Sequence, residues 1–249
     1  MRLFLHQLRA EQLIFWRSRE AAVFVFVFPI LLFLLLSAIY SGEDDGEPVV
    51  NVLLAGLLGY GVANTTFGGL AILLVLRREN GILKRLRSTP LPPLTYLAAA
   101  VASIVAVFAL QTGVLVALAV LVFDADAPAH ASALLLVLLL GAASFAALGF
   151  AAASLIRTGE GVSPAVNVVV LPMAFLSGGF GPARDLPAIL AGVAEALPLK
   201  HFVVLVKAAA LAGEPPWTHP AAVLVVALWG GAGALVAARR FRWQPRDEG

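Results

Sequence analysis

Long apolar runs broken by short charged or proline-rich segments organise this chain. No charged side chain occurs in 21–40, 49–76, 94–123, 131–156, 162–180 or 220–238. Each run is close to or above the ~20 residues that a helix needs to cross a ~30 Å hydrocarbon core. The pattern therefore predicts an all-α integral membrane protein with six spans. The second run is longer than a crossing requires, so tilt or extension beyond the core is expected. Pro29 inside the first run predicts a kink.

Two segments depart from this pattern. In 181–219 the apolar pieces 188–197 and 199–212 are separated by Pro198, and neither is long enough to cross. Lys200 and Lys207 argue against burial in lipid, so these pieces read as interfacial or re-entrant. Residues 2–20 carry Phe4, Leu5, Leu8, Phe15 and Trp16 on one helical face, with Arg2, His6, Arg9 and Arg17 on the next. Glu11 and Gln12 interrupt the apolar stripe. An N-terminal interfacial helix lying on the membrane is expected.

Between the second and third runs lies RRENGILKRLRSTPLPP (77–93), with five of the seventeen basic residues. Gly81 disfavours helix by about 1 kcal/mol. Pro90, Pro92 and Pro93 push their preceding residues out of the α region. About two helical turns fit between these stops. Ile82, Leu83, Leu86 and Thr89 fall on one side of that short helix, with Lys84, Arg87 and Ser88 opposite. From charge alone it could be no more than a basic stop between two spans.

Composition agrees with the pattern. The 249 residues are 61% hydrophobic and 13% charged, whereas soluble domains carry roughly 25% charged residues. One membrane domain, 1–249, is the expected organisation. There is no cysteine, which excludes disulfides and thiolate ligands. A net charge of +2 spread over short loops gives no case for a nucleic-acid partner. The first run reads as a retained span rather than a signal peptide, because its lead contains Glu11 and Glu20 and SAIYSG is a poor cleavage site. Lys and Arg number four in 2–20, five in 77–93, one in 157–161 and four after the last run, against Arg184, Lys200 and Lys207 on the other side. Fourteen against three places both termini in the cytoplasm of a cell-membrane protein.

Several chemistries are excluded. No Gly-x-x-x-x-Gly-Lys-Ser/Thr occurs, so a nucleotide has no P-loop here. LLGYGVAN (57–64) lies inside a span with neither strand nor third glycine and is not a dinucleotide fingerprint. The four histidines are scattered, which argues against a metal site. No serine sits in a nucleophile elbow. The six runs lack Asp, Glu, Lys, Arg and His, which ion-coupled carriers and pumps usually place within the membrane. This disfavours a channel or secondary carrier, and the lack of clustered reactive side chains disfavours an integral-membrane enzyme or assembly factor. Anything moved uphill takes its energy from elsewhere. Spans without counter-ions suit an amphipathic or lipophilic compound. Ser163, Asn167, Val170, Ala174 and Ser177 recur at 4-3-4-3 spacing in the fifth run and make one small-to-polar stripe, and Gly61, Asn64, Thr65 and Gly68 make another in the second. Such stripes serve either helix packing or a substrate path.

EQLIFWRSREAAVFVFVFPILLFLL resembles the amino terminus of ABC-2-type transporter permeases. RRENGILKRLRSTPLPPLTYL is similar to that family's Glu-x-Gly-x-Leu-(Lys/Arg)-x-Leu-x-x-(Ser/Thr)-Pro-Leu stretch, and LSGGFGPARDLP…ALPLKHF to its segment after span five. The resemblance implies the membrane subunit of an ABC exporter of the multidrug kind, without catalysis or cofactor of its own. Two permeases, as a homodimer or heterodimer in the lipid bilayer, would work with two ABC ATPase subunits that bind the ATP. It further implies a coupling helix resting in an ATPase groove through Glu79, Gly81, Ile82, Leu83, Lys84, Arg85, Leu86, Thr89, Pro90 and Leu91. Spans two and five would line the cavity, with Asn64, Thr65, Ser163, Asn167 and Ser177 as substrate-path candidates. The segment 183–212 would form short helices on the outer face.

The charge count generates the first prediction. Reporters fused to either terminus or inserted at residue 85 are expected to face the cytoplasm, and reporters near 44 and 126 the outside. An outward carboxyl terminus in a protease-protection assay would mean that the spans have been miscounted.

Overall fold

The computed structural model describes residues 1–40, 42–44, 46–181, 186–241 and 243–244. Arg184, Arg242 and Arg246, which enter the charge count, lie outside the described residues. Among the described residues, six helices are long and apolar enough to span a membrane: Ala22–Ile39, Val49–Glu79, Pro93–Phe123, Ala131–Leu155, Gly159–Leu176 and Pro220–Arg240. All six correspond to the apolar runs of the sequence.

Helix α1 (Arg2–Arg17) ends at Ser18, and α2 (Arg19–Ile39) carries Pro29 within the first span. A short antiparallel hairpin, β1 (Glu43–Asp44) and β2 (Glu47–Pro48), turns through Gly46 at φ +81°. The second span is α3 (Val49–Val62), a π-helical segment (Ala63–Gly69) and α4 (Leu70–Glu79). It runs three residues beyond the expected end and takes Arg77 and Arg78 into the helix. Of this span 72% is buried, against 11% of the first. A helix that is apolar all round belongs in the interior, and here the other spans gather around it.

The remaining elements are α5 (Ile82–Arg87), α6 (Pro93–Phe123), α7 (Ala131–Leu155), α8 (Gly159–Leu176), α9 (Ala188–Ala196), α10 (Pro198–Lys207, continued as a π segment Ala208–Ala212) and α11 (Pro220–Arg240). Small residues let the backbones approach. A Cβ on Gly149 of α7 would lie 2.8 Å from the Phe67 carbonyl of the π segment. Gly230 and Gly233 of α11 meet Ser144 and the Ala147–Leu148 backbone in the same order, so α7 and α11 run parallel. Without a hydrophobic drive between helices in lipid, such close backbone contact is a main source of association.

Helices α9 and α10 form a hairpin bent by 79°. The pair packs into the bundle from the end opposite the charged turn of α4. Ala129 N–H, in the loop between α6 and α7, donates to Ala210 O at 3.0 Å. The chain from there back to Pro198 measures about 18 Å at roughly 1.5 Å per residue. At the elbow Trp229 Nε1–H donates to Ala196 O at 2.9 Å, and Trp229 lies about 13 Å along α11 from Pro220 by the same rise. Both rulers put the elbow well inside the bundle. Phe202 of α10 anchors the hairpin: it is wholly buried, stacks edge-on to Phe145 at 5.6 Å, and occupies the space that a side chain at Gly141 would need.

Gly141→Ala is therefore expected to lower stability by about 1–3 kcal/mol through overpacking. Combining it with Phe202→Leu should recover part of that loss. Thermal unfolding of the detergent-solubilised protein measures both, and an unchanged midpoint for Gly141→Ala would contradict the wedge.

Candidate functional site

Three consecutive charged residues end α4, and a helix turns 100° per residue, so their side chains leave in three directions. Arg77 points to α1 and α6. Its Nη1 and Nη2 donate to the two Glu11 carboxylate oxygens at 2.8 and 2.6 Å, and Nη1 also donates to Tyr96 Oη at 2.5 Å. Arg77, Glu11 and Tyr96 are all buried. Gln7 Nε2 donates to Glu11 Oε1 at 2.8 Å, and Gln12 Nε2 donates to the Ser103 carbonyl on α6 at 2.9 Å. The fork of a guanidinium matches a carboxylate in two parallel bonds, the strong form of the pair.

Arg78, 2% exposed, donates to Ala153 O at 2.6 Å and Ile156 O at 2.5 Å. These carbonyls close α7, where a helix has unpaired acceptors and a partial negative charge. Glu79 does the reverse at the next helix. Its Oε2 accepts from Gly159 N at 2.7 Å, at the amino end of α8. Any side chain at Gly159 would overlap that carboxylate. Thr158 Oγ1 also caps α8 by accepting from Gly161 N at 3.3 Å. Residues 77–79 thus grip α1, α6, α7 and α8 at one end of the bundle.

Directly after this grip Gly81 takes φ +68°, a left-handed conformation that glycine adopts without strain, and α5 follows. One expectation needs correction. Leu83 is fully buried, so it packs within this chain and is absent from any outward docking face. Ile82 at 40% exposure and half-buried Leu86 remain on the outside, with exposed Lys84, Arg85 and Arg87 around them. Thr89 is exposed, and its Oγ1 donates to Leu86 O at 2.6 Å, closing the helix before Pro90 and half-buried Leu91.

The five path candidates do not form one patch. Asn64 and Thr65 are half-buried in the π segment, and Thr65 Oγ1 donates to Gln111 Oε1 at 3.4 Å. Ser163 and Asn167 are exposed on α8. Ser177 is buried and donates to Ala174 O at 2.9 Å, so it is a packing residue in this chain, a second correction. A cleft of about 560 Å³ lies between α6 and α7, walled by Phe108, Thr112, Val116, Leu134, Leu138 and Ala142 among others. None of the five candidates borders it.

Sequence reasoning missed Glu11, Arg78, Tyr96 and Gln111. The available signal was Glu11 itself, one acid in an otherwise apolar stripe, which a helix packed on protein tolerates only with a partner. It also missed the elbow cluster: Glu195 accepts from Lys200 Nζ, and His201 Nε2 lies 2.8 Å from the Glu195 carbonyl.

Six spans, an amphipathic helix tied to their charged end and a helical elbow packed into the other end make a multi-pass all-α membrane protein. The sequence profile of the ABC-2 type transporter family matches residues 2–211, and the chain belongs to that family. It is thus the permease subunit of an ABC-type transporter in the plasma membrane, a transport subunit that is not itself the ATPase, and members of the family normally work with an ABC ATPase. A search of curated proteins returns no match.

Removing one partner from a buried pair leaves an uncompensated charge and typically costs 3–5 kcal/mol, whereas apolar replacement of both is often near neutral. Glu11→Ala is therefore expected to destabilise by about 3 kcal/mol or more, and Glu11→Met with Arg77→Met by much less. Unfolding midpoints of the single and double variants decide this. Equal losses in both would deny that the ion pair is the cause.

Proposed function

We propose that this permease belongs to an ATP-driven exporter and couples to a separate ATPase through α5. In this reading α5 rests in a groove of the ATPase by Ile82 and Leu86, and Lys84, Arg85 and Arg87 contact its rim. Glu79 works from behind, holding α8 to the base of α5. Two ATPase subunits and a second permease, identical or related, complete the assembly. The cargo is an amphipathic or lipophilic compound, such as a drug-like molecule or a lipid, which leaves through the outer leaflet.

The observation that carries this reading is the placement of α5. It is a six-residue helix on a glycine hinge, two residues beyond a triplet that grips four other helices. A displacement of α5 would be felt at the ends of α1, α6, α7 and α8 together. A simple charge anchor has no need of such connections. The exposed Asn167 and Ser163 lie on α8, the span that Glu79 holds, which suits a path whose wall responds to α5.

Central apolar contacts in an interface can be worth 2 kcal/mol or more, and rim charges usually less. Leu86→Asp is expected to weaken ATPase capture by about 30-fold and abolish transport, at unchanged insertion. Lys84→Ala should have a mild effect. Gly81→Leu should also impair coupling; an added Cβ meets nothing within 4 Å, so the harm would come from the left-handed backbone. Pull-down of the ATPase and transport are compared at matched membrane expression. Normal capture and transport by Leu86→Asp would reduce the segment to an anchor.

A further inference from the structure

The six spans carry almost no charge in their interior, yet the hairpin brings three ionisable side chains in from the outer end. Glu195 ends α9, and Lys200 and His201 lie in the first turn of α10, on either side of the elbow at Leu197. The two helical rulers put this elbow roughly halfway through a ~30 Å core.

Hydrocarbon is a poor surrounding for what the elbow exposes. A helix break leaves carbonyls unpaired, and such backbone is tolerated at this depth only within protein or beside water. The structure satisfies the carbonyls individually: Leu197 N donates to Ala194 O at 3.0 Å, His201 Nε2 donates to Glu195 O at 2.8 Å when it carries the proton, and Trp229 Nε1 donates to Ala196 O at 2.9 Å. The charges are a different matter. The Glu195 side chain is 61% exposed and that of Lys200 31%. A carboxylate with that exposure does not face lipid tails, because charges at membrane depth face a water-filled cavity or a partner.

The accessible group also defines the ligand. Lys200 is already engaged with Glu195 and is the more covered of the pair, so the free surface is mainly carboxylate. His201 contributes the carbonyl bond and stands 3.8 Å from Glu195 Oε2. Trp229, 41% exposed, presents an indole beside the same elbow. An exposed carboxylate and an exposed indole at one elbow suit an organic cation, through charge and cation–π attraction together.

We propose that the elbow of the α9–α10 hairpin is a mid-membrane contact of the translocation path, at which Glu195 and Trp229 receive the cationic group of an amphipathic compound. This rests on the chain being an exporter permease and narrows its cargo to cationic amphiphiles. Lys200 holds the carboxylate between passages of cargo, and His201 keeps the elbow closed.

The chain contains no cysteine, so each substituted cysteine is its sole thiol. Glu195→Cys, Lys200→Cys and Leu228→Cys, the last an exposed depth-matched position on α11, are treated in vesicles with a membrane-impermeant methanethiosulfonate. The first two are expected to label at least about tenfold faster than Leu228→Cys, since thiolate chemistry needs water. The cationic dye rhodamine 6G should slow that labelling, and uncharged Nile red should not. In the complex with its ATPase, Glu195→Gln should raise the rhodamine 6G concentration for half-maximal ATPase stimulation by about tenfold and leave that for Nile red unchanged, as loss of a charge-assisted contact requires. Failure of Glu195→Cys and Lys200→Cys to label would overturn the proposal. So would labelling indifferent to rhodamine 6G, or loss of permease dimers on Glu195→Gln, which would make the cluster a subunit contact. If no ATPase co-purifies, the exporter reading fails, while dye protection in vesicles still decides the cation site.

Discussion

The bundle depends on what the last turn of α4 does with its charges. Arg77 and Glu11 are both removed from water, and two charges buried together persist only when geometry and further hydrogen bonds offset their desolvation. Here the carboxylate is bidentate, and Tyr96 and Gln7 fill remaining positions. Arg78 and Glu79 extend the same logic to helix ends, cation on carbonyls and anion on an amide. Apolar packing in lipid gives little preference for one arrangement of helices over another, because the solvent is as apolar as the side chains. The charged triplet supplies that preference at the end that faces water.

At the opposite end the constraint is different. The α9–α10 hairpin enters the bundle with a broken backbone, so it needs partners for each exposed carbonyl and a tight seat. Phe202 against Gly141 provides the seat, and Trp229 and His201 provide two of the partners. The Asn51–Asp126 pair, bonded both ways at 2.6 and 2.9 Å, ties the start of α3 to the loop after α6 nearby. One end of the molecule is thus held by an ion pair and charge-to-backbone bonds, and the other by hydrogen-bond caps and a wedge.

Much of this was legible in the sequence because the membrane enforces length and apolarity locally. The six spans and the short helix between Gly81 and Pro90 follow from runs and breakers alone. The pairing of Glu11 with Arg77 did not, because the two residues are far apart in sequence and neither pattern names the other. Leu83 shows the limit of a helical wheel: it identifies an apolar side but does not say whether this chain or another covers it. Lys200 was read as evidence against burial in lipid, and the structure pairs it with Glu195 across the elbow. What sequence could not supply was the hairpin depth, set by contacts with α7 and α11. The 4-3-4-3 stripe that runs along α8 to Ser177 is covered at Ser177 and open at Asn167, a difference that periodicity does not encode.

The π segment in the second span carries a consequence for direction. An α-helix advances about 100° per residue, and a π-bulge accommodates roughly one extra residue without ending the helix. Everything beyond Gly69 is therefore out of phase with α3 by about that angle. A straight α-helix of the same sequence would aim Arg77, Arg78 and Glu79 each about one helix away from its present neighbour. The bulge thus acts as the angular offset of the second span, set near the middle of the membrane and read out at its charged end.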